Sequence, residues 1–222
     1  MAASHQRPGR MVALCMPGLL CPYPAMRIFL PALAALALGA CSSGAVDPAS
    51  IPGCTLATGA PIGGPFTLTS NTGARMTEAN FKGHKTLVFF GYTYCPDYCP
   101  RTLGAIGTAM NMLPKDVAPP ETAFISVDPA RDTPAQLTTY IQSNGFPSNI
   151  VALTGTSDEL DQVSKVFRAP FQREDDPDSA AGYLMSHSTT LYLMDENWKL
   201  QAIFTGDTRP SDMAKCIAAL SH

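Results

Sequence analysis

Hydrophobic residues along this chain fall into short continuous runs, not long alternating ones, and the runs are punctuated by proline and glycine. The most decisive is Thr86-Leu-Val-Phe-Phe-Gly91. Its unbroken apolar character is that of a strand covered on both faces, since a strand with one wet face alternates. The run breaks at Gly91 into a loop with two cysteines four apart, Cys95-Pro-Asp-Tyr-Cys99. From Thr102 the period becomes helical, with Leu103, Ile106, Met110 and Leu113 on one stripe and Pro100 in the first turn, where proline is tolerated. Cys99 is therefore expected at the mouth of a helix and Cys95 about one turn before it. Unpaired amides and the positive end of the helix dipole favour thiolate over thiol there, giving a nucleophile or a metal ligand.

On either side of this stretch the pattern predicts further elements. Gly63 to Ser70, the turn Asn71-Thr-Gly73 and a short return strand towards Phe81 form a hairpin. Thr122 to Val127 is a second buried strand, so the cysteine stretch is part of a βαβ unit. Asp132 or Thr133 caps a helix that begins at Pro134 and runs towards Asn144-Gly145. Ile150 to Thr154 is a third strand, and Ser157 caps a helix to Arg168 with Leu160, Val163 and Phe167 inward. Arg173 to Gly182, carrying Glu174, Asp175, Asp176 and Asp178, reads as an exposed acidic loop. Tyr183 to Met194 and Lys199 to Phe204 read as two strands around the turn Asp195-Glu-Asn-Trp198, and Pro210 to Leu220 as a closing helix. A hairpin, then βαβα, then a hairpin and a helix is the order of an α/β sandwich of the thioredoxin class.

The leader adds a compartment. Ile28 to Gly39 follows Arg27 and is too short to span a bilayer, so residues 1–40 read as a secretory leader. Residues 1–25, with Cys15 and Cys21, read as upstream of the true start, since Met26-Arg27 opens a better signal. Leu38-Gly-Ala-Cys41 resembles the bacterial lipobox, which implies cleavage before Cys41 and its acylation; the alternative is a leader left uncleaved or cleaved without lipid. Residues 41–61 then form a linker, small and polar from Ser42 to Ser50, and 62–222 the folded domain. The 222 residues carry a net charge of −3; the first 40 hold three arginines and no acid, so their removal leaves −6, which argues against nucleic acid as a partner. Export to an oxidising space raises the question of Cys54 and Cys216, near the two ends of the domain: a disulfide or two buried free thiols, with the sequence alone leaving both open.

The candidate chemistry centres on Cys95, Cys99 and His187. In the thioredoxin arrangement the loop entering His187's strand lies beside the cysteine loop, where thioredoxins carry a cis-proline. No proline occurs here between Asp178 and Pro210, which leaves room for the imidazole. Two thiolates and an imidazole suit copper in either oxidation state; structural zinc ordinarily takes four protein ligands. The competing reading of His187 is a satisfied core histidine, and that of His84 a solvated turn residue. Of Met110, Met112, Met185 and Met194, Met110 and Met194 read as packing, and Met185 alone is kept as a candidate axial donor.

Three ordered motifs, Gly91-Tyr-Thr-Tyr-Cys-Pro-Asp-Tyr-Cys-Pro100, Ser126-Val-Asp-Pro-Ala-Arg-Asp-Thr-Pro134 and His187-Ser-Thr-Thr-Leu-Tyr-Leu, together resemble the Sco/SenC family of membrane-anchored copper proteins across about Ile62 to Leu220. The resemblance implies a thioredoxin-like fold, one copper, Cu(I) or Cu(II), on Cys95, Cys99 and His187, and delivery to the binuclear site of cytochrome c oxidase subunit II. It also implies a lipid anchor on the outer face of the inner membrane and a partner-docking role for Asp128. A thiol-disulfide oxidoreductase using Cys95 and Cys99 is the rival function; the four-residue cysteine spacing, the missing cis-proline and the presence of His187 lean away from it.

Overall fold

The computed structural model describes residues 46–59, 61–176 and 181–221. The leader, the acylation candidate Cys41 and the first tether residues lie outside them. From Val46 onward the chain is more than a tether. Asp47 caps a 3-10 turn, Pro48–Ser50, and β1 (Thr55–Leu56) pairs with β10 (Leu200–Thr205). Cys54 is disulfide-bonded to Cys216 in α4 (Pro210–Ala219). The folded domain therefore begins near Asp47, not at Ile62, and the expected 41–61 linker is shortened from its C-terminal end.

Thr67–Ser70 (β2) and Arg75–Thr77 (β3) form the first hairpin. Thr86–Gly91 (β4) follows and leads into α1 (Tyr98–Asn111); β5 is Glu121–Ser126, α2 Pro134–Tyr140, β6 Ile150–Thr154 and α3 Ser157–Phe167. Thr190–Met194 is β9. Among the described residues the sheet runs β1-β10-β9-β4-β5-β6-β2-β3, with β4, β5 and β6 parallel and β9 antiparallel to β4. Central β4 is buried at every residue, as its unbroken apolar run requires. Burying Phe89 and Phe90 contributes about 1.5–3 kcal/mol each, and the sheet edge from which the cysteine loop springs is correspondingly rigid.

Three expectations are corrected. Thr156, not Ser157, caps α3: its hydroxyl accepts from the Glu159 amide while Glu159 reaches back to the Thr156 amide. Phe171–Asp175 is a strand (β7), not part of an acidic loop, and it pairs with Tyr183–His187 (β8) as a two-stranded ribbon outside the main sheet. Tyr183 to Met194 is accordingly two strands. The break comes at Ser188-Thr189, where the Ser188 amide bonds Pro170 O and its hydroxyl accepts from the Thr190 amide, so the ladder is interrupted locally. The turn after β9 has no glycine because Trp198 itself takes the left-handed conformation, φ 64°, with its Nε1 bonded to Gly64 O and its ring among Phe66, Phe81 and Phe167. Burial in that aromatic cluster offsets the local backbone cost.

Candidate metal centre

The cysteine loop is six residues long, between the end of β4 and the start of α1, and its geometry follows from what the helix leaves unpaired. The first amides of a helix lack intrahelical acceptors. Asp97 occupies the cap position, but its side chain makes no capping bond; the Cys95 sulfur takes that part, accepting the Cys99 N–H at 3.3 Å. Cys95 N in turn bonds Tyr92 O at 3.3 Å, closing the turn. Gly91 is obligatory here: a β-carbon would lie 2.7 Å from the Phe124 ring and 2.8 Å from Cys99 Sγ. At Gly206 a β-carbon would overlap the Tyr98 hydroxyl, so the ring that opens α1 rests directly on that backbone.

The two sulfurs differ in protonation. The Cys95 thiol is lowered to about 4, chiefly by the hydrogen bond donated from the Cys99 thiol, and further by His187 and by the Cys99 and Asp97 amides, against the opposing effect of burial. Cys99 is driven the other way, held as a thiol by donating to Cys95 and by its burial. The sequence reading placed the thiolate-favouring helix mouth at Cys99; the structure directs that field onto Cys95, because Cys95 accepts the helix amide.

His187 enters from the ribbon. It is the last residue of β8. Nδ1 lies 2.9 Å from Ser188 O, a group that only accepts, so Nδ1 carries a proton and Nε2 is the nitrogen turned to the sulfurs, 3.6 Å from Cys99 Sγ. Phe89, Tyr92 and Tyr98 meet the imidazole with their rings at steep angles. The ligand atoms of Cys95, Cys99 and His187 all lie within 4.8 Å of one another. Two sulfurs and an anchored imidazole make a soft donor set that fits copper, and among the described residues no fourth protein ligand of the kind structural zinc takes belongs to the group. No cis peptide bond occurs among the described residues. His84 is exposed and paired with Glu121, away from this cluster, and Met185 is packed in the core.

Asp128 does not present itself to a partner. It is 2% exposed and spent internally, accepting from Arg131 Nε and from the Tyr183 hydroxyl. Sequence reasoning also missed what Asp132 does. Thr133 caps α2, which frees the buried Asp132 carboxylate to accept the Thr93 N–H at 3.0 Å, the Thr93 hydroxyl at 2.6 Å and the Ser126 hydroxyl at 2.6 Å. It thereby ties the root of the cysteine loop to the end of β5. Burial pushes its carboxyl upward. The available signal was an acid immediately before a residue already competent to cap.

The SCO1/SenC family model matches residues 55–222. Protein SenC of Rhodobacter capsulatus is 38% identical over 161 residues, covering 71% of this chain and 70% of its own. The human mitochondrial SCO1 homolog is 34% identical over 162 residues, 71% of this chain and 52% of its own, so the chain spans about half the length of that relative. Among solved structures, Arabidopsis thaliana ScoI with copper bound is 31% identical, with a TM-score of 0.67 over 72% of this chain and 98% of that one. Bradyrhizobium japonicum ScoI with copper bound is 36% identical, with a TM-score of 0.62 over 70% and 97%.

Proposed function

The chain belongs to the SCO1/SenC family, and from that premise we propose that it is a copper chaperone, carrying one copper ion, Cu(I) or Cu(II), on Cys95, Cys99 and His187 to the binuclear copper site of cytochrome c oxidase subunit II. The fold is thioredoxin-like, and copper is cargo. The observation that carries the reading is the convergence of two sulfurs with an imidazole Nε2 whose orientation is fixed from behind by Ser188. Cys95 meets the ion already as a thiolate; Cys99 gives up its proton on binding; His187 completes the donor set. Release follows when acceptor thiolates replace these ligands or when the two cysteines are oxidised. The sequence Leu38-Gly-Ala-Cys41 supports a periplasmic protein held at the membrane by acyl chains on Cys41. Among the described residues no helix is long and apolar enough to cross a membrane.

The test is transfer. Copper-loaded full chain, mixed with the reduced, metal-free copper domain of subunit II, is expected to lose its metal as the absorption of the binuclear centre appears. Retention of the metal contradicts the proposal. A second reading has its own support in the unequal cysteines, a thiolate at Cys95 with a buried thiol at Cys99 behind it. In that reading Cys95 attacks a disulfide of the oxidase copper site, one acceptor sulfur leaves as thiolate, and Cys99 then displaces the second. The acceptor becomes a dithiol and Cys95 and Cys99 a disulfide, two electrons having passed. Reduction of an oxidised acceptor by the copper-free chain, undiminished in His187→Ala, would favour it.

A further inference from the structure

The two parts of the donor set belong to segments that share no strand pairing: the cysteines to the β4–α1 loop, His187 to the ribbon. Tyr92 of the cysteine loop meets His187 and the Met185 backbone directly, and one side chain from a third segment touches both parts. Arg131, in the loop after β5, donates from Nη1 to Ala181 O and Tyr183 O, both at 3.2 Å, so that one guanidinium nitrogen grips the ribbon backbone. Its guanidinium carbon lies 3.6 Å from the centroid of the Tyr183 ring, and on the cysteine loop 4.7 Å from that of Tyr94 and 5.8 Å from that of Tyr92. Tyr94 immediately precedes Cys95. Asp128 anchors the assembly by accepting Arg131 Nε at 2.5 Å and the Tyr183 hydroxyl at 2.8 Å. The side chain is 14% exposed. The imidazole's own contacts are Ser188 O and the surrounding rings; the Arg131 contacts, with the Tyr92 bond to the Met185 backbone, join the strand that carries it to the cysteine loop.

We propose that Arg131 is a positioning residue for the copper site, coupling the cysteine loop to the ribbon so that His187 Nε2 stands within reach of both sulfurs. The inference rests on the copper reading above. Arginine's planar guanidinium holds Asp128 through Nε and two carbonyls through Nη1 while its face stacks on the rings; lysine keeps the charge for Asp128 but has no second nitrogen and no flat face to do the rest.

The experiment is a double-mutant cycle on the full chain in detergent, with copper affinity measured by competition against a chromophoric chelator for the wild type, Arg131→Lys, His187→Ala and the double variant. Because Arg131 acts through His187, Arg131→Lys is expected to weaken binding about tenfold in the wild-type background and by less than about twofold once His187 is absent. A packing role alone predicts equal losses in both backgrounds, and that result, or no loss in either, overturns the coupling. Tyr183→Phe, which keeps the ring and removes only its bond to Asp128, runs through the same cycle; it decides the matter if Arg131→Lys does not fold, a loss confined to the His187 background supporting the coupling and an equal or absent loss refuting it. Failure of the wild type to bind copper refutes the copper reading itself, and this inference with it.

Discussion

The cysteine loop and the ribbon each bring ligands to one point, but they are built in opposite ways. The loop hangs from β4, buried at every residue and paired with β5 and β9; its root is tied down by Asp132, and its sulfurs are fixed by a helix amide and by the tight approach of Gly91. The ribbon lies outside the sheet, and β7 is exposed along most of its length. A stiff pair of sulfurs therefore faces a histidine on a separate arm. The combination suits a carrier, which must hold its ion and then let it go. Stability is concentrated where many buried contacts converge, and segments that move are drawn from elsewhere.

Breaking either side should reveal the asymmetry. The largest effect is expected in the loop: Cys95→Ala or Cys99→Ala abolishes the thiolate-to-copper absorption, read by titration of the reduced protein. On the ribbon, His187→Ala weakens copper binding about 10–100-fold by chelator competition, while Cys95 and Cys99 still cycle between dithiol and disulfide. Gly91→Ala, which drives a methyl into Phe124 and Cys99, costs about 1–3 kcal/mol in urea unfolding. Glu174→Ala, on the exposed edge of β7, changes stability by less than about 0.5 kcal/mol in the same assay.

The unequal cysteines give the comparison a pH dependence. The Cys95 pKa in the fold is lowered to about 4 from an ordinary value of 9.0. Between those values the unfolded chain binds the extra proton, so stability of the reduced, copper-free protein rises with pH across that window and is lost as pH falls through about 4. Cys99, pushed upward, acts with the opposite sign above its ordinary value of 9.0. Urea midpoints measured from pH 5 to 8 should climb in the wild type and lose that contribution in Cys95→Ala; equal slopes in the two proteins would refute the assignment of the thiolate.

What the sequence disclosed depended on how local the cause was. The strands β4, β5 and β6 announced themselves as continuous apolar runs, and α3 and α4 as amphipathic stripes, because burial imposes those patterns directly. Strand β7 did not. Gln172, Arg173, Glu174 and Asp175 are exposed, and a ribbon outside the sheet imposes no alternation, so polar residues read as a loop. Strand β1 is only two residues long and is held by pairing and a disulfide 162 residues apart in sequence. The candidate ligands were legible from residue type and spacing. Which sulfur is the thiolate was not, since that is decided chiefly by the Cys99 thiol donating to Cys95, with the helix amide adding to it; nor were the parts played by Asp128, Arg131 and Asp132, whose partners include Tyr183, Ala181 and Thr93 on other segments.

The most direct test of the central claim is a copper titration of the reduced full chain in detergent, followed by charge-transfer absorption, with His187→Ala measured alongside. One equivalent bound through sulfur, with bands shifted or lost in the variant, is the predicted result. Absence of binding, or spectra and affinity identical in the two proteins, would contradict the site built from Cys95, Cys99 and His187.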